Sequence, residues 1–348
     1  MELQRVAVIG AGGWGTALAA LLAKKGCEVI LWARRAELAE VISTRHTNET
    51  YLPGVTLPSS LKVSSDLEEA IYGREALVFA VPSQQIRAIG QQLARFLSVS
   101  GSLPVFVSAS KGLEKGSLLR MSEVIRDEMP QGRECHVVSL SGPNHAEEVG
   151  REIPSASVVA YSDKGVAEAV QDLFMTPAFR VYTNPDQTGV EMGGALKNII
   201  ALAAGISDGL GFGDNTKAAL MTRGIVEIAR LGVAMGARPM TFGGLSGTGD
   251  LIATCTSKHS RNAWAGAQIG AGKPLKEVLG STKMVVEGVF TTSAARELAL
   301  ARRVEMPIAN IVYEVLFEGL DPMKGVAALM ERGATVESGQ KVWEINLD

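Results

Sequence analysis

The chain has 348 residues, of which 46% are apolar and 20% charged. At roughly 150 residues per domain this favours two domains with real cores, and it excludes a disordered, collagen-like or low-complexity chain. The 34 basic and 37 acidic residues leave a net charge of −3, so no basic field points to nucleic acid or to an anionic membrane.

The first half alternates strand and helix patterns. Strands are predicted at Arg5–Gly10, Glu28–Ala33, Ala76–Val81, Val105–Ala109, His136–Leu140 and Ser157–Tyr161. Helices are predicted between them at Thr16–Lys25, Ala36–Thr44, Leu67–Tyr72, Gln84–Phe96 and Leu118–Glu128. The strands are rich in Val and Ile and apolar throughout, which suits a parallel sheet covered on both faces. This is a Rossmann-type doubly wound α/β domain, expected to span residues 1–186. After Thr183–Asp186 the strand pattern all but vanishes. Helices are predicted at Val190–Ile206, Lys217–Met235, Val289–Ala301, Ala309–Phe317 and Met323–Met330, so residues 187–348 read as an all-helical second domain.

Glycine accounts for 38 residues, about 11% against a usual ~7%, and it comes in short clusters. The sharpest is Gly10-Ala-Gly12-Gly13-Trp14-Gly15, which follows a strand and opens a helix. In that setting GxGxxG is a dinucleotide-binding fingerprint. Gly10 makes the turn, Gly12 admits a diphosphate to the backbone, and Gly15 lets helix pack on strand. The helix N-terminus then presents free N–H groups and a positive dipole end to that diphosphate. The second strand ends at Arg34-Arg35, with no carboxylate before Glu37. Two arginines suit the 2′-phosphate of NADP better than the 2′-hydroxyl of NAD, although NAD stays open. The loops Ala80–Gln84, Ser108–Gly112 and Ser141–Ala146 fall at the ends of later strands, where parallel sheets bind ligands. They bring Lys111 to the same rim, to polarise a carbonyl or hold a phosphate.

In the second half, Lys197 has Gly193, Gly194, Ala201 and Ala204 at helical spacing. An apolar helix face of this kind packs against protein, not water. A lysine there has a lowered pKa and can serve as a general acid or base. Asn198 beside it needs a partner if buried, so it too marks a polar pocket. Further on, Gly243–Asp250 is a glycine-rich approach to Asp250, which is either a helix N-cap or a ligand-facing group. Ser260 reads as an N-cap with Arg261 and Asn262 in the first turn, a set that can hold a phosphate. His145 and His259 carry less weight as catalysts, having polar neighbours and an unremarkable context.

Three scattered cysteines with no C-x-x-C suggest a reduced, cytoplasmic setting, and the four histidines show no metal spacing, so no metal is expected. The uncharged run Val6–Ala23 is 18 residues long, about the minimum for a membrane span. Its central glycines and its soluble-helix ending argue instead for strand, turn and helix.

Taken together, the motifs resemble those of the bacterial NAD(P)-dependent glycerol-3-phosphate dehydrogenase family. The stretches that carry the resemblance are Gly10–Ala19, Ala80–Gln84, Lys111–Glu114, Ser141–Val149, Gly194–Asn198 and Asp208–Asn215, then Lys217–Gly224, Arg230–Gly236, Leu245–Asp250, Ser260–Asn262, Val285–Gly288 and Glu305–Ile308. The resemblance implies reversible reduction of dihydroxyacetone phosphate to sn-glycerol 3-phosphate for phospholipid synthesis. It implies that Lys197 is the proton donor or acceptor, and that Lys111 touches both substrate and cofactor. Gly142, Asn144, Asp250, Ser260, Arg261 and Asn262 would lie at the substrate, with Arg261 also reaching the cofactor. Gly13, Trp14, Arg34, Arg35 and Tyr51 would flank the nucleotide on one side, and Ala146, Val285 and Glu287 on the other. Asn144 stands where the family often has Ser or Thr. The alternatives are a hydroxyacid or ketopantoate-type reductase, and an NADP-sensing module with no need of Lys197, Lys111 and Asp250. The expected partner is a small-molecule substrate, with no nucleic acid and no membrane span; a homodimer is compatible with this reading.

Overall fold

The structure, a computed structural model, describes residues 2–97, 102–282 and 284–334; residues 335–348, the end of the second expected domain, lie outside that description. The chain begins with β1 (Arg5–Ile9), α1 (Gly13–Lys25), β2 (Glu28–Trp32) and α2 (Ala36–Arg45). A small antiparallel pair follows, β3 (Thr47–Asn48) and β4 (Leu52–Thr56). Then come β5 (Lys62–Ser64), α3 (Leu67–Ile71), β6 (Ala76–Phe79), α4 (Ile86–Leu97), β7 (Val105–Ser108) and α5 (Met121–Glu128). The first half closes with β8 (Val137–Ser141), α6 (Ala146–Gly150), β9 (Ser155–Ala160), α7 (Lys164–Phe174) and β10 (Phe179–Asn184).

Eight of these strands form one sheet in the order β10-β9-β8-β7-β6-β1-β2-β5. Strand residues alternate between its two faces. Val6, Val8, Val29 and Leu31 pack with α1 and α7. Ala7, Ile9, Ile30 and Trp32 pack with α3, α4 and α5. The sheet is therefore doubly wound, as the all-apolar strands predict. The uncharged run Val6–Ala23 is β1, the glycine turn and most of α1, buried in this core.

Several features of this half differ from the sequence expectations. β8 and β9 pair antiparallel, not parallel. A parallel return must carry the chain back along the sheet, usually through a helix; the link 142–154 holds only the five-residue α6, and β9 starts at the end where β8 stops. α7 and β10 were not expected at all. β10 is an edge strand with Phe179 and Val181 inward and Arg180 and Tyr182 outward, so it lacks the continuous apolar run of the central strands. The β3–β4 hairpin and β5 are likewise too short and too polar to announce themselves. Finally, α5 starts at Met121 and not at Leu118, because Leu118 takes a left-handed backbone with φ of +61°.

Beyond Asn184 every regular element among the described residues is helical. These are α8 (Gln187–Gly209), α9 (Asp214–Ala234), α10 (Asp250–Thr256), α11 (Arg261–Gly270), α12 (Leu275–Gly280), α13 (Glu287–Arg302), α14 (Pro307–Tyr313) and α15 (Pro322–Met330). The expected helix Ala309–Phe317 is split: α14 stops at Tyr313 and a π-type turn covers Glu314–Glu318. α8 is the axis of this half. It is the one helix among the described residues long and apolar enough to cross a membrane by composition, and 94% of its most apolar window is buried inside the protein. Part of the glycine excess is spent on packing α11 against it. A Cβ on Gly205 would fall 2.0 Å from the Ala263 carbonyl oxygen, and one on Gly266 2.2 Å from that of Leu202. The two backbones thus touch with no side chain between them.

Gly205→Val should therefore destabilise the protein by at least the ~1–3 kcal/mol typical of an overpacked core, measured by denaturant unfolding. Gly280→Ala, whose new methyl group meets nothing within 4 Å, serves as the neutral control.

Candidate active site

The glycine loop is built as its residue types demand. Gly10 has φ of +114°, and a Cβ there would sit 2.7 Å from the Ala80 carbonyl oxygen. On Gly15 a Cβ would strike the Gly10 oxygen at 1.9 Å, so only glycine lets α1 start this close to β1. A Cβ on Gly12 meets nothing within 4 Å; it would project into open space in the cleft, which is where a diphosphate fits against the backbone and the first turn of α1. Asn48, 1% exposed, staples this loop from the β3–β4 hairpin. Its Nδ2 donates to the Ala11 carbonyl at 3.0 Å and to Thr16 Oγ1 at 2.8 Å. No local pattern identifies Asn48, because its partners lie more than 30 residues away.

At the end of β2, Arg34 and Arg35 are exposed and neither forms an ion pair among the described residues. Arg35 donates to Tyr51 Oη at 3.1 Å and lies over its ring, and Arg34 reaches Gln85 Oε1 at 3.5 Å. Gln85 was not anticipated. Two unpaired guanidinium groups beside the glycine loop suit the added phosphate of NADP.

A cavity of about 460 Å³ runs from this loop to Lys197. Along it the structure gathers Gly10, Gly12, Gly13, Trp14, Arg34, Arg35 and Tyr51 at one end. Lys111, Lys197, Asn198, Ser260, Arg261 and Asn262 line the other, with Asn144, Ala146, Val285 and Glu287 along the walls. Three anticipated residues do not line it. Gly15 is packed under the loop, and Gly142 and Asp250 stand behind the lysines.

Lys197 projects from the buried core of α8 and is 6% exposed. Its Nζ donates to Asp250 Oδ1 and, at 2.5 Å, to Thr254 Oγ1. Lys111 Nζ donates to the other carboxylate oxygen, Asp250 Oδ2, at 2.6 Å, and to the Gly142 carbonyl at 2.9 Å. Gly194 lets α8 approach the end of β8: its Cβ would be 2.8 Å from Ser141 Oγ, with the Lys111 side chain at an ordinary 3.6 Å. Asp250, 1% exposed, is thus not a helix cap. It opens α10, accepts no helix N–H, and spends both oxygens on the lysines. Burial pushes the Lys197 amine down from 10.5 to about 8, Lys111 adds to the fall and Asp250 opposes it. Two ammonium groups on one carboxylate leave an excess positive charge facing the cavity. Thr254 completes the cradle; its sequence context gave no hint of that part.

Around the lysines, α11 begins as expected with Ser260 accepting from the Ala263 N–H at 3.2 Å. Asn262 joins three helices: its Nδ2 donates to Asn198 Oδ1 and its Oδ1 accepts from the Gly288 N–H, both at 2.9 Å. Arg261 forms no ion pair among the described residues; burial lowers its pKa, while the Glu147 and Glu287 carboxylates favour its charge. Both ends of the Asn144 side chain are taken. Nδ2 donates to the Ala156 carbonyl at 2.9 Å, and Oδ1 accepts from Ser157 Oγ at 2.8 Å. Asn144 thus ties the loop after β8 to β9 while it lines the cavity wall. Glu287 bridges the cleft, accepting from Ser83 N–H at 3.0 Å and Ser83 Oγ at 2.5 Å, and burial raises its pKa. His145 and His259 lie side by side with ring centroids 5.9 Å apart. His145 faces the Ala253 carbonyl at 3.4 Å, and burial lowers its pKa.

A dinucleotide laid along the cavity from the glycine loop would bring its far ring to a proton-carrying lysine, which defines a Rossmann-type dehydrogenase. Residues 5–167 match the family model for the NAD-dependent glycerol-3-phosphate dehydrogenase N-terminus, and residues 186–327 match that for its C-terminus. The chain belongs to that family. It is 56% identical over 333 residues to the glycerol-3-phosphate dehydrogenase, NAD(P)+ of Pelotomaculum thermopropionicum, covering 96% of this chain and 95% of the relative. The enzyme of the same name from Moorella thermoacetica is 55% identical over 338 residues, with 97% and 99% covered. Among solved structures, glycerol-3-phosphate dehydrogenase from Coxiella burnetii superposes with a TM-score of 0.89 at 36% identity, covering 94% and 98% of the two chains. A ketopantoate reductase from Ralstonia eutropha shares the fold alone, at a TM-score of 0.56 and 15% identity.

In a lysine-selective NMR titration Lys197 should show a midpoint near 8. Asp250→Asn removes the anion that favours its charge, so the midpoint should move lower still. A midpoint that stays put or rises contradicts the shared-carboxylate arrangement.

Proposed function

We propose that the chain interconverts dihydroxyacetone phosphate and sn-glycerol 3-phosphate with NADP or NAD, supplying glycerol 3-phosphate for phospholipid synthesis in the cytoplasm. The observation that carries this reading is the Lys197–Asp250–Lys111 cluster at the inner end of the cavity. Residues 1–186 are read as the dinucleotide domain and 187–348 as the substrate domain, and a homodimer is compatible with both.

When bound, the nicotinamide supplies or accepts the hydride at substrate C2. Lys197 handles the proton. As ammonium it protonates the developing C2 alkoxide; as amine it removes the hydroxyl proton in the reverse direction. Asp250 and Thr254 aim its Nζ, and Lys111 adds positive potential where the oxyanion forms. Arg261 and the N–H groups of the first turn of α11 hold the phosphate, with Ser260, Asn262 and Asn198 lining its approach. Gly142 serves through its carbonyl, which steadies Lys111. On the nucleotide side, Gly10, Gly12, Gly13 and Trp14 receive the diphosphate, Arg34, Arg35 and Tyr51 the ribose phosphate, and Ala146, Val285 and Glu287 the opposite wall.

Steady-state kinetics with dihydroxyacetone phosphate test the reading, with a ketoacid such as ketopantoate as the competing substrate. NADPH should be used at least as well as NADH; an NADH preference beyond about tenfold, or ~1.4 kcal/mol, contradicts the role of Arg34 and Arg35. Lys197→Met should lower kcat by at least the ~10²-fold typical of a lost general acid or base. Because Lys197 titrates near 8, ketone reduction, which needs the ammonium, should fall as pH rises through that value. Alcohol oxidation, which needs the amine, should rise through it.

A further inference from the structure

We infer that Glu191 is a positioning residue that holds the Lys111 loop against α8 and thereby sets the spacing of the two ammonium groups on Asp250. The inference rests on the roles proposed above for Lys111 and Lys197.

Glu191 lies on α8, six residues before Lys197, and its side chain is 8% exposed. Its Oε2 accepts from Arg120 Nη1 at 2.6 Å and from Ser122 Oγ at 2.7 Å, and its Oε1 accepts from the Ser122 N–H at 2.9 Å. Arg120 and Ser122 flank the start of α5. A carboxylate from the helical half therefore sits on the N-terminus of a helix from the sheet half, where the peptide dipoles favour negative charge. The segment that runs from β7 into α5 carries Lys111. Its middle is already pinned to the sheet half. Arg87 pairs with Glu114 at 2.8 Å, and Gln84 Nε2 donates to the Leu113 carbonyl at 2.8 Å. On the other side Leu113 is buried in one apolar cluster with Met192, Ala195 and Leu196 of α8, and Glu191 adds the polar tie between that segment and α8. Other anchors of α8 reach elsewhere. Gln187 donates to the Val137 carbonyl and Ser139 Oγ of β8. Asp186 holds the Arg238 N–H and Thr241 Oγ1.

The groups facing Lys197 Nζ are Asp250 and Thr254 from α10 and Lys111 from the loop; Cys255, pushed up to about 12 by burial, and His145, lowered by burial, lie near it as neutral groups around pH 8. If the clamp loosens, Lys111 recedes, its repulsion of the Lys197 charge weakens, and more of Asp250 is left to Lys197. Both changes favour the ammonium.

The test is Glu191→Gln in the full chain, which keeps the shape and loses the ion pair. A displacement of 1 Å at a reacting centre can cost 10²-fold, so kcat with dihydroxyacetone phosphate should fall about tenfold or more while KM for NADPH stays within about twofold. The Lys197 midpoint should move up in both the rate profile and the lysine NMR titration. Ser122→Ala, which removes one hydroxyl, should show the same split in milder form if Glu191→Gln folds poorly. A melting temperature that drops with kcat and the Lys197 midpoint unchanged would reduce Glu191 to a structural ion pair and overturn the proposal. So would a loss of kcat matched by an equal rise in KM for NADPH. If the wild-type chain does not reduce dihydroxyacetone phosphate, the proposed function fails; the NMR midpoint still decides the clamp.

Discussion

One buried carboxylate shared by two lysines is the constraint on which the rest of this site depends. A charge taken out of water must be paired and hydrogen-bonded. Stripping one partner from a buried pair typically costs about 3–5 kcal/mol. Asp250 meets that condition for Lys197 and Lys111 together, yet one anion cannot neutralise two cations. The surplus charge points into the cavity, where an oxyanion or a phosphate is the natural counter-ion. Neighbouring groups serve this geometry. The Gly142 carbonyl accepts a hydrogen bond from Lys111, and Thr254 Oγ1 accepts one from Lys197.

The two halves of the fold meet around this cluster. Lys111 comes from the end of β7, Lys197 from the middle of α8, and Asp250 from the start of α10. No single element could hold the three, so the cluster exists only while the halves are registered. Glu287 on Ser83, Gln187 on β8 and Glu191 on α5 cross the boundary at separate points. Such partly buried, hydrogen-bonded contacts specify orientation more than they add net stability.

The parts legible in the sequence are those whose physics is local. The glycine turn is written in six consecutive residues, the arginine pair in two, and the burial of Lys197 in the small residues one helical turn away. The parts that were not legible depend on distant partners. Asp250 lies 139 residues from Lys111 and 53 from Lys197, and nothing near it distinguishes a cap from a counter-ion. Asn144 lines the cavity, but its ties to Ala156 and Ser157 of β9 could not be read from its own neighbours. The direction of β9 was invisible because an apolar strand reads the same parallel or antiparallel. β10 was missed because an edge strand buries one face only, and half its residues are those of a surface.

The bare contact between α8 and α11 has a consequence for selectivity. Side chains between helices can change rotamer and let the helices slide; two backbones in contact at Gly205 and Gly266 have no such slack. Lys197 rides on one helix and Arg261 opens the other, so the separation of their backbones is a property of the main chain. On the roles proposed above, that separation acts as a gauge, and the two side chains can adjust the distance between an acidic end and an oxygen only within their own reach.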